Sequence, residues 1–235
     1  MRVLMLRHMK RMQGDRVSKA LIARGFKLDY RCPAEGEPLP PLDEGHHLTV
    51  VYGGVQSAND DGYIREEIDW IRTWVSAGRP YLGLCLGGQL LASAFGAKVS
   101  HHPEGQHEIG FVRICPAGDA EFLPAPLYVY QWHKEGFELP SGATLLALGE
   151  AFPNQAFRYG DAAYGIQFHP EVTAEIMLDW MKDSEASLRA PGASPKEKQV
   201  EDAARHNGSI DVWLDQFLDL CLLPKIAEKR RIAAR

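Results

Sequence analysis

The stretch Tyr81-Leu82-Gly83-Leu84-Cys85-Leu86-Gly87-Gly88-Gln89-Leu90-Leu91 restricts this chain more than any other. An apolar run after Pro80 reads as a buried strand, glycines flank one cysteine, and apolar residues recur at helical spacing from Gln89 to Phe95. Strand, tight turn and helix follow one another without a linker, and Cys85 stands on the turn. A turn of that kind strains its central residue and crowds the flanks, so glycine at 83 and 87 removes side chains that would clash. The thiol would stand at a helix N-terminus, where unpaired N–H groups and the backbone dipole favour thiolate. A lone buried cysteine is ordinarily a packing residue. Inside Gly-x-Cys-x-Gly, between a strand and a helix, it reads as a nucleophile.

The same rhythm precedes the elbow. Val3 to Leu6 is a short apolar run, and Val17, Ala20 and Leu21 share a helical face that Gly25 closes. Phe26 to Arg31 reads as a second strand. A proline-rich loop, 33–41, leads to a third strand, Leu48 to Tyr52, which ends at Gly53-Gly54. Ile64, Ile68, Ile71 and Val75 form a helical stripe before Gly78. Strands alternating with helices predict a mostly parallel sheet covered on both faces, with functional groups at the carboxyl ends of its strands.

The middle of the chain changes character. Short strands are expected at 110–115, 127–132, 143–147, 156–159 and 164–168, separated by Gly, Pro and Asn turns, as an antiparallel extension of the sheet. The last delivers His169-Pro170-Glu171, after which Thr173 can cap a helix with Ile176, Met177, Trp180 and Met181 on one side. Residues 184–207 are polar and are expected as surface loop and exposed helix. Ser209 is expected to open an amphipathic helix carrying Ile210, Trp213, Leu214, Phe217, Leu218, Cys221 and Leu222. The basic ending, 225–235, reads as a solvated tail. The boundaries follow: a principal domain over 1–182, and a helical extension over 183–235 packed on the same domain.

At 235 residues, with 45% hydrophobic residues, the chain is long and apolar enough for one sizeable core. A net charge of −5 gives no electrostatic footprint for nucleic acid or an anionic membrane. No apolar span of about 20 residues crosses a bilayer and no signal peptide begins the chain, so a cytoplasmic protein is expected. Cys32, Cys85, Cys115 and Cys221 are scattered without metal-type pairing, which suits reduced thiols. His101, His102 and His107, with Glu104 and Glu108, have no specific ligand spacing, nor do His8 and His46-His47, so no metal and no cofactor are called for.

A cysteine nucleophile needs a base, and the base needs an orienting group. His169 and Glu171 supply them: residues two apart at a strand end project the same way, so Glu171 can bond one imidazole nitrogen while the other faces the thiol. Acyl transfer also needs an oxyanion hole. Gly54 and the amide of Leu86, the first residue past the nucleophile, are the natural donors.

Gly53-Gly54, Gly83-Leu84-Cys85-Leu86-Gly87-Gly88-Gln89 and Gly165-Ile166-Gln167-Phe168-His169-Pro170-Glu171 resemble, in order, the motifs of the class I (triad) glutamine amidotransferase family, over the N-terminus to about residue 182. Tyr130-Gln131-Trp132-His133 and Asn154-Gln155-Ala156-Phe157-Arg158-Tyr159 are similar to its free-standing, GMP synthase-like members. The resemblance implies a flavodoxin-like α/β three-layer sandwich. It implies that Cys85 attacks the side-chain amide of glutamine to give a γ-glutamyl thioester, that His169 protonates leaving ammonia and activates water, and that Glu171 orients His169. Gln89 would help hold the α-amino acid end of glutamine, in a substrate pocket that Val55, Trp132 and His133 also define. The sequence departs from the family pattern at Val55, where proline is usual, at Trp132, where a small polar residue is usual, and at Lys134, which replaces glycine. Glutamine or another γ-glutamyl compound is the expected ligand, a separate ammonia-accepting synthetase subunit the expected partner, and self-association into a homo-oligomer is compatible with both. The departures keep a γ-glutamyl peptidase or hydrolase open as an alternative. A non-catalytic regulatory subunit on the same scaffold is the other.

Overall fold

The computed structural model describes residues 1–9 and 14–233. Its centre is a nine-stranded sheet in the order β2-β1-β3-β4-β11-β10-β9-β6-β7. The parallel part is β2 (Lys27–Arg31), β1 (Arg2–Leu6), β3 (His46–Val51), β4 (Tyr81–Leu84) and β11 (Ala163–Ile166). From β11 the direction alternates through β10 (Asn154–Tyr159), β9 (Thr144–Leu148), β6 (Glu108–Pro116) and β7 (Leu127–His133). The mixed α/β fold expected from the strand pattern is the one found. A separate pair, β5 (Val99–His101) with β8 (Glu135–Phe137), was not anticipated; at three residues each, these strands are too short to show periodicity.

Side-chain alternation along β1 sorts the core into two layers. Val3 and Met5 join Leu48, Val50 and Leu82 beneath α1 (Arg16–Ala23) and the C-terminal helices. Leu4 and Leu6 face the other way, with Val51 and Tyr81, against α2 (Tyr63–Ser76) and α3 (Leu86–Ala94). A third cluster joins Phe111 and Tyr130 of the antiparallel strands to Met177 and Met181 of α4 (Ala174–Asp183). Thr173 caps α4 through its hydroxyl, which accepts from the Ile176 N–H.

The C-terminal region departs from the expected outline. The helix α5 runs Lys196–Gln216, beginning well before Ser209, and Gln199, Asp202 and Ala203 of the supposed surface segment are buried. A π-helical turn, Phe217–Leu222, continues into α6 (Leu223–Ala233). Trp213 packs edge-on to Phe122 and Phe168, stacks on Phe217, and donates its indole N–H to the Phe122 carbonyl at 2.7 Å. The basic ending is likewise not all tail: Ile226 is buried in the main core, while residues 234 and 235 lie outside the described residues.

Candidate active site

The adjacent parallel strands β3, β4 and β11 end on the same edge of the sheet, and each delivers one part of the site. Gly53-Gly54 follow β3, Cys85 follows β4, and His169 and Glu171 follow β11. The registers Thr49 to Tyr81 and Gly165 to Gly83 fix their relative heights. A bond from the Cys85 N–H to the Ile166 carbonyl, 2.7 Å, ties the elbow to the strand that carries the histidine.

Cys85 has φ 50° and ψ −105°, and among the described residues it is the only non-glycine with positive φ. This is backbone that L side chains avoid, at a cost of roughly 1–3 kcal/mol. It persists because the surroundings leave no alternative. A Cβ on Gly83 would sit 2.3 Å from the Gly87 carbonyl oxygen, and one on Gly87 would sit 2.2 Å from that of Val51. The turn is thus held between β3 and α3 with no room for side chains on either flank. Cys85 caps α3, so the Leu86 N–H, in the first helical turn, has no acceptor within the helix.

His169 Nδ1 lies 2.7 Å from Glu171 Oε1, with both side chains buried. Burial opposes charge on the imidazole, but Glu171 and the neighbouring Cys85 outweigh it and push the pKa up to about 10. Gly53 lies between the two reacting groups: a Cβ there would stand 2.9 Å from His169 Cε1 and 3.4 Å from Cys85 Cβ. The His169 ring is pinned from outside by Trp180, edge to face with centroids 5.0 Å apart. The start of α1 holds the carboxylate turn, since the Arg16 N–H donates to the Glu171 carbonyl at 3.0 Å.

Gly53, Gly54, Cys85, His169 and Glu171 open into a cavity of about 460 Å³. Val55, 80% exposed, stands at its mouth, and Trp132 forms a wall with Trp180, ring centroids 5.9 Å apart. One face of α4 turns Glu175, Asp179 and Asp183 toward the same space; Asp179 is paired with Lys182 at 3.3 Å. The structure therefore brings together the residues expected at the reaction centre, and adds to them an acidic rim and a second tryptophan.

Two residues expected in the substrate pocket do not line that cavity. Gln89 is buried, and its amide donates to the Glu135 carbonyl at 2.8 Å and to Gln167 Oε1 at 3.3 Å. His133 is held between the Glu135 carbonyl and Glu108 Oε2, 2.9 Å from each. Gln167, inside the last motif but given no role from sequence, points its amide nitrogen at Cys85 Sγ from 3.8 Å. His8, weighed from sequence only as a metal ligand, lies buried behind Gly54, paired with Glu67. Its only sequence signal was a histidine directly after the first strand.

Among the described residues, the one group of three close metal-type ligands is Asp29, Glu44 and His46, far from the elbow along β1–β3. Guanidinium groups already occupy it: Arg2 meets Asp29 at 2.7 Å and Arg31 meets Glu44 at 3.3 Å. No helix among the described residues is long and apolar enough to cross a membrane.

Comparison with known proteins agrees with this arrangement. Residues 14–182 match the family model described as glutamine amidotransferase class-I. The chain is 35% identical over 180 residues to the glutamine amidotransferase-like protein YfeJ of Salmonella typhimurium, covering 70% of this chain and 73% of that one. It is 36% identical over 138 residues to one of the subunits of the glutamine-hydrolyzing GMP synthase of Pyrococcus abyssi, covering 57% and 72%. The solved structure of a glutamine amidotransferase from Thermotoga maritima superposes with a TM-score of 0.82 at 30% identity, covering 96% of this chain and 97% of that one.

Proposed function

The chain belongs to the class I glutamine amidotransferase family, and from that premise we propose that it hydrolyses the side-chain amide of glutamine through a thioester on Cys85. The observation that carries this reading is the elbow itself: a cysteine held at φ 50° at a helix N-terminus, with Gly53 alone separating it from a His169–Glu171 pair 2.7 Å apart.

Cys85 sulfur attacks the amide carbon, and the developing oxyanion accepts from the N–H groups of Gly54 and Leu86. His169, protonated at neutral pH because Glu171 holds its pKa up, gives its proton to the departing nitrogen, and ammonia leaves. Water enters; His169, now neutral, takes a proton from it as the oxygen attacks the thioester carbon. The sulfur departs, leaving glutamate and restoring the protonated imidazole. Glu171 keeps Nδ1 protonated throughout, so that Nε2 is the nitrogen that exchanges protons. Gln167 supports the sulfur from the side away from the cavity, and Gln89 holds Gln167 in place. The acidic face of α4 suits the α-ammonium group of the substrate.

The decisive experiment incubates the purified protein with glutamine and measures glutamate and ammonia beside a Cys85→Ala variant. Release by the wild type and not by the variant supports the assignment, and equal release from both overturns it.

A second reading uses the same thioester with a larger leaving group, so that the enzyme acts as a γ-glutamyl peptidase. Val55 and the Trp132–Trp180 wall favour it, because they give the cavity an open, partly apolar mouth. A panel of γ-glutamyl amides separates the two; glutamine turned over faster than every other member excludes the peptidase. The naming of the Pyrococcus relative as one of several subunits supports an ammonia-accepting partner docked over this mouth.

A further inference from the structure

The buried ion pair behind the glycine loop has a use in the reaction. His8 Nδ1 lies 3.1 Å from the Tyr52 carbonyl oxygen and 3.4 Å from that of Gly53, and its Nε2 lies 3.1 Å and 3.2 Å from the two oxygens of Glu67. Every one of these neighbours accepts. The ring must therefore carry a proton on Nδ1, and an ionised Glu67 calls for one on Nε2 as well. Burial works against that charge, but Glu67 and the two carbonyls raise the pKa of His8 above its ordinary value. The His8 and Glu67 side chains are fully buried, and His8 is not among the residues lining the cavity.

The Gly53 carbonyl and the Gly54 N–H belong to one planar trans peptide and point in opposite directions. Holding the carbonyl toward His8 sends the N–H away from His8, and Gly54 borders the cavity that contains Cys85. The contact is also steric. A Cβ on Gly54 would meet His8 Cβ at 2.6 Å and Gln56 Oε1 at 2.4 Å, so the loop is pressed against the imidazole and has one orientation available. We propose that His8, braced by Glu67, is a positioning residue that aims the Gly54 N–H into the oxyanion hole. This proposal rests on the thioester hydrolysis described above and adds a device to it.

Asparagine and glutamine each reproduce one half of the imidazole. The amide nitrogen of His8→Asn falls where Nδ1 stands and keeps hold of the carbonyls, while that of His8→Gln reaches Glu67 and lets them go. The two variants are compared with wild type for kcat and KM on glutamine and a γ-glutamyl amide panel, and for the rate at which iodoacetamide alkylates Cys85. Alkylation builds no oxyanion, so it reports a folded elbow independently of the hole. Losing an oxyanion donor typically costs 10²–10³ in kcat, so we expect His8→Gln to lose about 100-fold at nearly constant KM. His8→Asn is expected to stay within about tenfold of wild type, with alkylation rates alike in all three. Equal kcat in the two variants, or a smaller loss in His8→Gln, overturns the proposal, because a histidine that merely pairs Glu67 predicts that order. A slowed alkylation that tracks the loss of kcat also overturns it, by showing damage to the elbow. A wild type that turns over no γ-glutamyl amide overturns the underlying hydrolase reading, and the proposal with it.

Discussion

Cys85 can be replaced by alanine or by glycine, and the difference between the two variants isolates the strain in the elbow. Both lose the sulfur, but alanine keeps a Cβ at φ 50° and ψ −105°, whereas glycine adopts that backbone freely. Relief of such a conformation is worth roughly 1–3 kcal/mol. Against it stands the extra freedom of glycine in the unfolded chain, roughly 0.5–1 kcal/mol. Residue 85 is the cap of α3, where glycine is also better tolerated than alanine, so this further term favours the glycine variant. The balance is about 1 kcal/mol in favour of Cys85→Gly, which for a chain of this length raises the unfolding temperature by about 2–4 °C over Cys85→Ala. Differential scanning calorimetry of the two proteins in one buffer measures it directly. A Cys85→Ala protein as stable as Cys85→Gly, or more so, would refute the argument that the turn stores strain in the residue that carries the sulfur.

Three further outcomes are expected. His169 owes its pKa of about 10 to Glu171 and Cys85 acting against burial, so the protonated imidazole that releases ammonia is lost as pH rises through that value. Glu171→Gln keeps an acceptor for Nδ1 but removes the charge, and the alkaline limb of kcat/KM moves to lower pH; an unmoved limb would contradict the assignment. Gly87→Ala places a Cβ 2.2 Å from the Val51 carbonyl oxygen, and urea unfolding should show a loss on the order of 3 kcal/mol. Trp213→Ala opens a hole beside Phe122, Phe168 and Phe217 and should cost about 3–5 kcal/mol in one cooperative transition. Two separate transitions would instead divide 183–235 from the remainder, against our proposal that the helical extension belongs to the same domain.

What could be read from the chain depended on how locally each feature is encoded. The parallel strands announce themselves because burial on both faces makes them continuous apolar runs, and the elbow does so because only glycine fits its flanks. The N-terminal half of α5 did not. Asn207-Gly208-Ser209 has the composition of a turn followed by a cap, yet the helix runs through it, since Gln199 and Ala203 are buried further upstream and tertiary packing outweighs local propensity. Gln89 and His133 illustrate a different limit. A sequence motif gives neighbours along the chain but not the direction in which a polar side chain finds its partner, and both turn to buried carbonyl and carboxylate oxygens. His8 and Glu67 are separated by 59 positions and meet only when β1 and α2 pack.

The bond from the Cys85 N–H to the Ile166 carbonyl, and the pairing of Gly83 with Gly165, carry one more implication. Nucleophile and base are spaced by the register of two neighbouring strands. Registers change in whole residues: a slip of one would carry His169 about 3.3 Å along the sheet and turn its side chain to the opposite face. No intermediate spacing exists, so a misregistered molecule is silent rather than sluggish. Titrating Cys85 against turnover in a preparation of this protein would therefore count correctly assembled sheets, and a low specific activity would signify fewer competent molecules at full speed.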